Sequence, residues 1–454
     1  MTINIPEKVE YIIHTLMEHG FEAYAVGGCV RDTILGRNPE DWDITTSAKP
    51  EEVKNLFRRT IDTGIQHGTV TVMLDKDGYE VTTYRIDGEY EDKRHPKNVE
   101  FTVNLIEDLK RRDFTINAMA YNHVNGLVDE FQGLEDIERK RICCVGEAKD
   151  RFDEDALRML RAVRFAGQLG FTIEDGTRDA ILSRAENLRN ISAERIRVEL
   201  NKLIISKGSE QIREAYITGM TDIILPEFNL MMQTTQNNPH HCYSVGEHTI
   251  KALSILNQFD SDIQDDKIHS ILCWSVLLHD VAKPLSKSVD DKGIDHFYGH
   301  AEKSSDMVRK ILRRLKFDNY TIDMVQRLVK WHDYRFTLKP ASIRKATNRI
   351  GEDIMMLLFV VKRADILAQS LYHRDEKLEE IRKAQELFTE IIKSKQCLTL
   401  KSLAVNGQDL MMAGFPSGKQ LGVILNQLLE LVLEDPELNE KEQLIQLAKK
   451  LNKI

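Results

Sequence analysis

A change of hydrophobic period near residue 150 is the feature that most constrains the fold. Before it, "AYAVGG" (23–28), "TVTVMLD" (69–75) and "YEVTTYRI" (79–86) carry the β-branched, alternating character of strands. An amphipathic helix built on Val9, Ile12, Ile13 and Leu16 precedes them. After it, "DALRMLRAVRFAGQL", "AERIRVELNKLII" and "KQLGVILNQLLELVL" repeat apolar residues at helical spacing. The pattern predicts an α+β head over 1–145, a small mixed sheet with helices, followed by an all-α chain. Polar "MMQTTQNNPHH" (231–241) places one boundary at 235, and "YHRDEKLEE" (372–380) places another at 375.

Composition narrows the class. No apolar run among the 454 residues reaches the roughly 18 that a membrane span needs. The first twenty residues lack the basic start, apolar stretch and cleavage site of a signal peptide, so the expected location is cytoplasmic. The six cysteines form no CxxC pair, which argues for reduced thiols rather than a disulfide framework. A net charge of −9 argues against general coating of nucleic acid but leaves room for a local basic groove.

The head carries its polar residues in a telling order. Gly27-Gly28 ends a strand and opens a helix, with Arg31 on the first turn; the pair either exposes backbone N–H groups to a phosphate or makes an ordinary turn. Asp41 and Asp43, two apart on a strand, share one face. Such a pair repels unless a cation lies between, and Mg²⁺ takes carboxylates together with substrate phosphates. The other reading is a solvated strand edge. Glu80 is either a third carboxylate from a neighbouring strand or an exposed strand residue. Arg111, Arg112 and Asp113 stand just before an apolar stretch read as a helix, which Asp113 caps. In a functional role the arginines hold phosphate and Asp113 a ribose hydroxyl. Asp155 lies one helical turn from Arg158, with Arg161 and Arg164 following at three-residue steps. The pair can read a base edge or form a plain surface salt bridge.

Taken together, "AVGGCVRDTILGRNPEDWDITTSA", "TGIQHGTVTVML", "YEVTTYRIDGEYEDKRHPKNVEF", "DLKRRDFTINAMAYN", "RFDEDALRMLRAVRFAGQLGF" and "ISAERIRVELNKLI" resemble the class II tRNA nucleotidyltransferases. These are the CCA-adding enzymes of the polymerase β-like superfamily. "LAVNGQDLMMAGFPSGKQLG" resembles their tail. The resemblance implies a head over 1–145, a helical neck and body over 146–235 that reads the nucleobase, and a tRNA-binding tail over 376–454. It implies that Asp41 and Asp43 bind catalytic Mg²⁺, and that Gly27, Gly28 and Arg31 contact the triphosphate. Asp113 would hold the ribose with Arg112 nearby, and Asp155 with Arg158 would pair with C or A, joined on that helix by Arg161 and Arg164. Residues 87–96 match a flexible loop associated with A addition, and Glu194-Arg195 a neck motif that supports the template pair. The implied partners are tRNA, CTP and ATP, with no membrane and no obligate protein partner. An A-adding-only enzyme or a bacterial poly(A) polymerase is the alternative.

The middle of the chain holds a second set. His241 and His248, His279-Asp280, His300, His332 and Asp365 fall within helical sequence. Histidine and carboxylate together suit divalent metals. The set resembles the HD phosphohydrolase superfamily, here inserted over 236–375. By that resemblance His241, His279, Asp280 and Asp365 bind one metal (Ni²⁺, Co²⁺ or Mn²⁺), and His300 and His332 support a second. His248 and His296 are left as surface or outer residues. A degenerate module kept for its shape is the other reading.

Overall fold

The computed structural model describes residues 2–88, 99–259 and 265–452. Most of the loop anticipated at 87–96 therefore lies outside the described residues. The chain divides into two compact units, Met1–Pro226 and Glu227–Ile454. The division falls ahead of the boundary expected at 235 because the helix Pro226–Gln233 belongs to the second unit, where Glu227 pairs with Arg314 at 2.7 Å. The expected boundaries at 145 and 375 lie inside the units.

The head strands are β1 (Ala23–Val26), β2 (Ile44–Thr46), β3 (Thr60–Gly64), β4 (Thr69–Leu74), β5 (Asp77–Thr83), β6 (Arg85–Asp87), β7 (Val99–Phe101), β8 (Ala120–Asn122) and β9 (Gly126–Val128). Seven form one sheet in the order β3-β4-β5-β2-β1-β8-β9, while β6 and β7 make a separate ribbon. The β2–β5 pair is parallel and sets Ile44 against Val81 and Thr46 against Thr83. All four residues of β1 are buried, as a strand covered on both faces requires. Tyr24 and Val26 cluster with Tyr84, Leu105, Leu109, Ala118 and Ala120. The helix Glu7–Glu18 packs against β1 and buries Val9, Ile12, Ile13 and Leu16, the stripe its sequence predicts.

Three local expectations need correction. Asp41 and Asp43 precede β2 rather than sit within it; pairing starts at Ile44, although Val26 N already donates to the Asp43 carbonyl at 2.9 Å. Pro39, Glu40 and the aspartates disfavour regular strand, so the carboxylates ride on its lead-in. The apolar stretch after Asp113 is not a helix. It is a single 3₁₀ turn, Thr115–Asn117, followed by β8, because Ala120 and Tyr121 are wanted between β1 and β9. The helix read through "RFDEDALRMLRAVRF" is broken at Asp155, which separates Ala148–Glu154 from Leu157–Leu169.

Among its described residues the second unit is helical apart from a small β-hairpin, Ser288–Val289 with Asp295–His296. Its centre is the helix Asp266–Leu278, which buries Trp274 completely. The helix Glu352–Ala368 packs against Val245–Phe259. Buried Arg344 ties in the tail. Its guanidinium donates to the carbonyls of Leu433 and Glu434, each at 2.7 Å, at the C-terminus of the helix Lys419–Glu434. Terminal carbonyls lack helical partners and carry the negative end of the dipole, so an arginine suits them. No helix among the described residues is long and apolar enough to cross a membrane.

Candidate functional site

Gly27 has φ 84°, a left-handed conformation that glycine adopts without strain, and it caps the helix Gly28–Ile34. A side chain there would meet Arg112 Nη1 at 3.0 Å, so the arginine lies directly against the turn. Arg112 also approaches Asp108 at 3.6 Å and lowers the Asp43 pKa by its charge. Glycine turn, arginine and carboxylate pair are thus contiguous. Arg31 is differently placed. It is buried, with its fork on Asp32 at 2.9 and 3.0 Å and one nitrogen on Asn117 at 2.5 Å. Arg111 likewise is spent on the buried carboxylate of Asp108, at 2.8 and 3.0 Å.

Asp41, Asp43 and Glu80 line one cleft of about 660 Å³, together with Trp42, Thr71 and Lys76. Enclosure raises the Asp43 pKa, with Asp41 adding to the rise and Arg112 opposing it. Glu80 on β5 is raised by enclosure and then by Asp43 and Asp41. Asp43 and Glu80, both held towards protonation, form with Asp41 a hard-oxygen donor set that a divalent cation relieves.

Asp113 is buried. Arg161 donates to its Oδ2 at 2.7 Å, while Phe114 N and Asn117 Nδ2 donate to Oδ1 at 2.9 and 3.1 Å. Burial opposes the charge, but Arg161 and Asn117 hold the carboxyl well below the usual range. Arg158 N donates to the Asp155 carbonyl at 3.0 Å, while their side chains reach to other groups. Arg195 grips Asp155 at 2.7 and 3.2 Å, and Arg158 reaches Glu154 at 2.6 Å and the Arg111 carbonyl at 3.0 Å. Arg164 is buried on Glu199, and Arg31, Arg161 and Arg164 all lie within 5.3 Å of the Phe165 ring centre. Glu194 is exposed. Glu199, Asn117 and Phe165 escaped the sequence reading. Only the i, i+4 step from Arg195 to Glu199 hinted at a shared helix face.

The second unit gathers the histidines. His248, His279 and Asp280 could share one cation, and Asp280, His300 and His332 another, so Asp280 is common to both groups. Asp365 joins the first, at 2.8 Å from His248 and 3.7 Å from His279. His248 is therefore no surface residue: it is 1% exposed and stands in the cluster. His241 packs its ring on His248 at 4.9 Å, and burial pushes its pKa down to about 3. His296 instead bonds to Asp290 at 3.0 Å and stacks on Tyr298. Lys283, four residues after His279, meets Asp280 at 2.6 Å and was not anticipated. His279 Nε2, both Asp280 oxygens, and Nδ1 of His241 and His248 are buried without a well-formed hydrogen bond. Around Asp280 these atoms crowd on one another and on Lys283, with His279 Nε2 at 3.1 Å and Lys283 Nζ at 2.6 Å from Oδ2, a donor set that fits a bound cation.

Comparison with known proteins identifies the family. Residues 23–143 match the Poly A polymerase head domain family, 170–232 the "Probable RNA and SrmB- binding site of polymerase A", and 296–448 tRNA nucleotidyltransferase domain 2. The CCA-adding enzyme of Levilactobacillus brevis is 37% identical over 97% of this chain and 98% of its own length. That of Lactobacillus delbrueckii subsp. bulgaricus is 54% identical over 46% of this chain and 54% of its own. The crystal structure of the Bacillus stearothermophilus CCA-adding enzyme in complex with CTP superposes with a TM-score of 0.71 at 30% identity, covering 98% of this chain and 96% of that one. With its glycine turn, carboxylate cleft and near full-length kinship, this chain belongs to the family of the CCA-adding enzymes.

Proposed function

We propose that the head adds C, C and A to the 3′ end of tRNA from CTP and ATP without a nucleic-acid template. The carrying observation is the cleft that joins Asp41, Asp43 and Glu80 in the same unit as the Gly27 turn and Arg112. The carboxylates would hold Mg²⁺, which supplies activation of the tRNA hydroxyl and neutralisation of leaving pyrophosphate. The Gly27-Gly28 amides and Arg112 receive the triphosphate, and Asp113, fixed by Arg161, faces the ribose. Asp155 and Arg158 read the base by their donor and acceptor pattern, which discriminates strongly when a wrong base leaves polar groups unpaired. The 3′-hydroxyl oxygen bonds to the α-phosphorus, the bond to pyrophosphate breaks, and the hydroxyl proton leaves with a basic acceptor. Head, neck, histidine domain and tail are assigned to 1–145, 146–226, 227–375 and 376–454, the neck ending with the first compact unit, and the enzyme works in the cytoplasm. Incubation with tRNA lacking its 3′ end, Mg²⁺, CTP and ATP tests the reading. Three added nucleotides support it; one A, a long A tail or no extension refutes it.

A specific observation favours a second activity in the same chain. Two histidine groups that share Asp280, with buried ligand atoms that lack well-formed hydrogen bonds, fit a metal-dependent phosphohydrolase of the HD type. In such a step a water oxygen bonds to phosphorus, the ester P–O bond breaks, and the water proton ends on the departing oxygen. The cation supplies the activation of that water. Phosphate release from nucleotide monoesters or 2′,3′-cyclic esters that needs Mn²⁺, Ni²⁺ or Co²⁺ and is lost in Asp280→Ala supports it. Release that survives the substitution refutes it.

A further inference from the structure

Above the histidine–aspartate cluster a cavity of about 590 Å³ is lined by His241, His332 and Asp365 at its base. Its outer wall carries Arg335, Lys377 and His240. Lys377 is half-buried on the helix Arg374–Lys393, yet its bonded partners are neutral: Gln369 Oε1 at 2.6 Å and His240 Nδ1 at 3.1 Å. Arg335 is exposed and has no ion pair among the described residues. Its charge is felt by both Lys377 and His240. Of the carboxylates on the wall, Glu376 is taken by His373, while Asp333 and Glu380 are exposed to water. A partly desolvated ammonium hydrogen-bonded only to neutral partners, and balanced only through space by Asp365, Asp333 and Glu380, stands beside an unpaired guanidinium and can receive an anion.

The position of this anion site is fixed by Gln369. Its amide donates to both Asp365 oxygens at 3.3 Å and accepts from Lys377. Two hydrogen bonds and one amide width put the Lys377 ammonium within about 8 Å of the Asp365 carboxylate. That is the reach of one ribose bearing a phosphate at each end. Tyr334, which lines the same cavity, adds a planar surface.

We infer that the mouth of the cluster is a subsite for a second phosphate, so that the substrate of the second unit is a nucleotide carrying two phosphoryl groups. One sits at the cluster for hydrolysis and the other binds Arg335 and Lys377. The inference rests on the phosphohydrolase reading and names its substrate class. The same chemistry is offered by a free nucleoside bisphosphate and by the phosphorylated end of an RNA strand.

The test uses the full chain with Mn²⁺. Phosphate release is measured from adenosine 3′- and 5′-monophosphate, adenosine 3′,5′-bisphosphate and a 3′-phosphorylated dinucleotide. The KM for at least one two-phosphate compound should be tenfold or more below those of the monophosphates. Arg335→Gln and Lys377→Gln should erase that advantage chiefly through KM, and Arg335→Lys should restore part of it. An advantage for the dinucleotide alone assigns the subsite to RNA ends; an advantage for both assigns it to either source. Equal KM values for one and two phosphates, or an advantage untouched by both substitutions, overturn the inference. If no compound is hydrolysed, the phosphohydrolase reading fails, and equilibrium binding decides the subsite. Bisphosphate binding that Arg335→Gln weakens tenfold supports it, and binding that the substitution leaves unchanged overturns it.

Discussion

Arg195 holds Asp155 by both carboxylate oxygens, at 2.7 and 3.2 Å, across the break between the helices Ala148–Glu154 and Leu157–Leu169. Asp155 also accepts from Leu157 N at 3.1 Å, so its carboxylate both starts the second helix and takes a fixed direction from the neck helix Ala193–Ile204. A group that reads a base needs such a fixed direction.

Removing this clamp should therefore loosen nucleotide choice more than folding. Arg195→Ala is expected to lower kcat/KM for CTP and ATP by roughly a hundredfold, the cost of a small misplacement of a positioning group. Misincorporation of UTP should rise relative to CTP. Arg195→Lys should not rescue, because a point charge cannot form the two-pronged contact. Single-nucleotide extension of truncated tRNA measures both; unchanged selectivity in Arg195→Ala would contradict the positioning role.

The cleft carboxylates should divide by role. Asp41→Ala and Asp43→Ala are each expected to cut nucleotide addition by at least about a thousandfold, the scale on which electrostatic stabilisation of a reacting phosphate acts. Glu80→Gln, which keeps size and loses charge, should reduce addition and raise the Mg²⁺ concentration needed for half-maximal activity. A titration of activity against Mg²⁺ concentration for each variant checks this, and full activity in Asp43→Ala would rule out the proposed metal role.

Arg164 and Glu199 form a buried pair, each about 7% exposed along its side chain. Glu199→Leu strands the guanidinium and should destabilise the first unit by roughly 3–5 kcal/mol. Arg164→Met combined with Glu199→Leu should recover most of that loss, since two apolar groups replace two charges. Urea unfolding of the three proteins reads the difference.

Asp113 predicts an acid limb of stability. Arg161 and Asn117 depress its pKa in the folded chain, whereas an unfolded aspartate titrates near about 3.9. The unfolded state therefore takes up the proton first as pH falls. The stabilising contribution is complete above the unfolded value and is lost as pH falls towards the folded one. Unfolding free energy measured from pH 6 down to about pH 2.5 should drop less steeply in Asp113→Asn than in the parent chain. Equal slopes would show that Asp113 is not linked to acid unfolding.

His248 is expected to matter as much as the histidines whose sequence context announces them. In the full chain, Mn²⁺ at a hundred times its Kd should stabilise the second unit by about 2.7 kcal/mol. His248→Ala and Asp280→Ala should each remove that gain, whereas His296→Ala should not. Thermal melts with and without chelator distinguish these outcomes.

The order of chemistry along the chain belonged to the sequence itself. The β-to-helical change of period, the glycine turn, Asp41 with Asp43, and the His279-Asp280 pair are local patterns, fixed by propensity, side-chain direction and donor type. The amphipathic stripe of Val9, Ile12, Ile13 and Leu16 was readable for the same reason. Partner choice was decided only in three dimensions. Nothing in residues 113 to 122 announces a 3₁₀ turn and a strand; that follows from a place waiting between β1 and β9. Asp155 sits one turn from Arg158 in sequence, yet Arg195 takes it, because a helix break turns the carboxylate towards another helix. His248 looked like an outer residue until the helices Val245–Phe259 and Glu352–Ala368 packed and brought Asp365 to its ring. Spacing along a chain determines which side chains share a face. Which faces meet is set by packing between distant segments, and the ion pairs and metal donors of both sites were decided there.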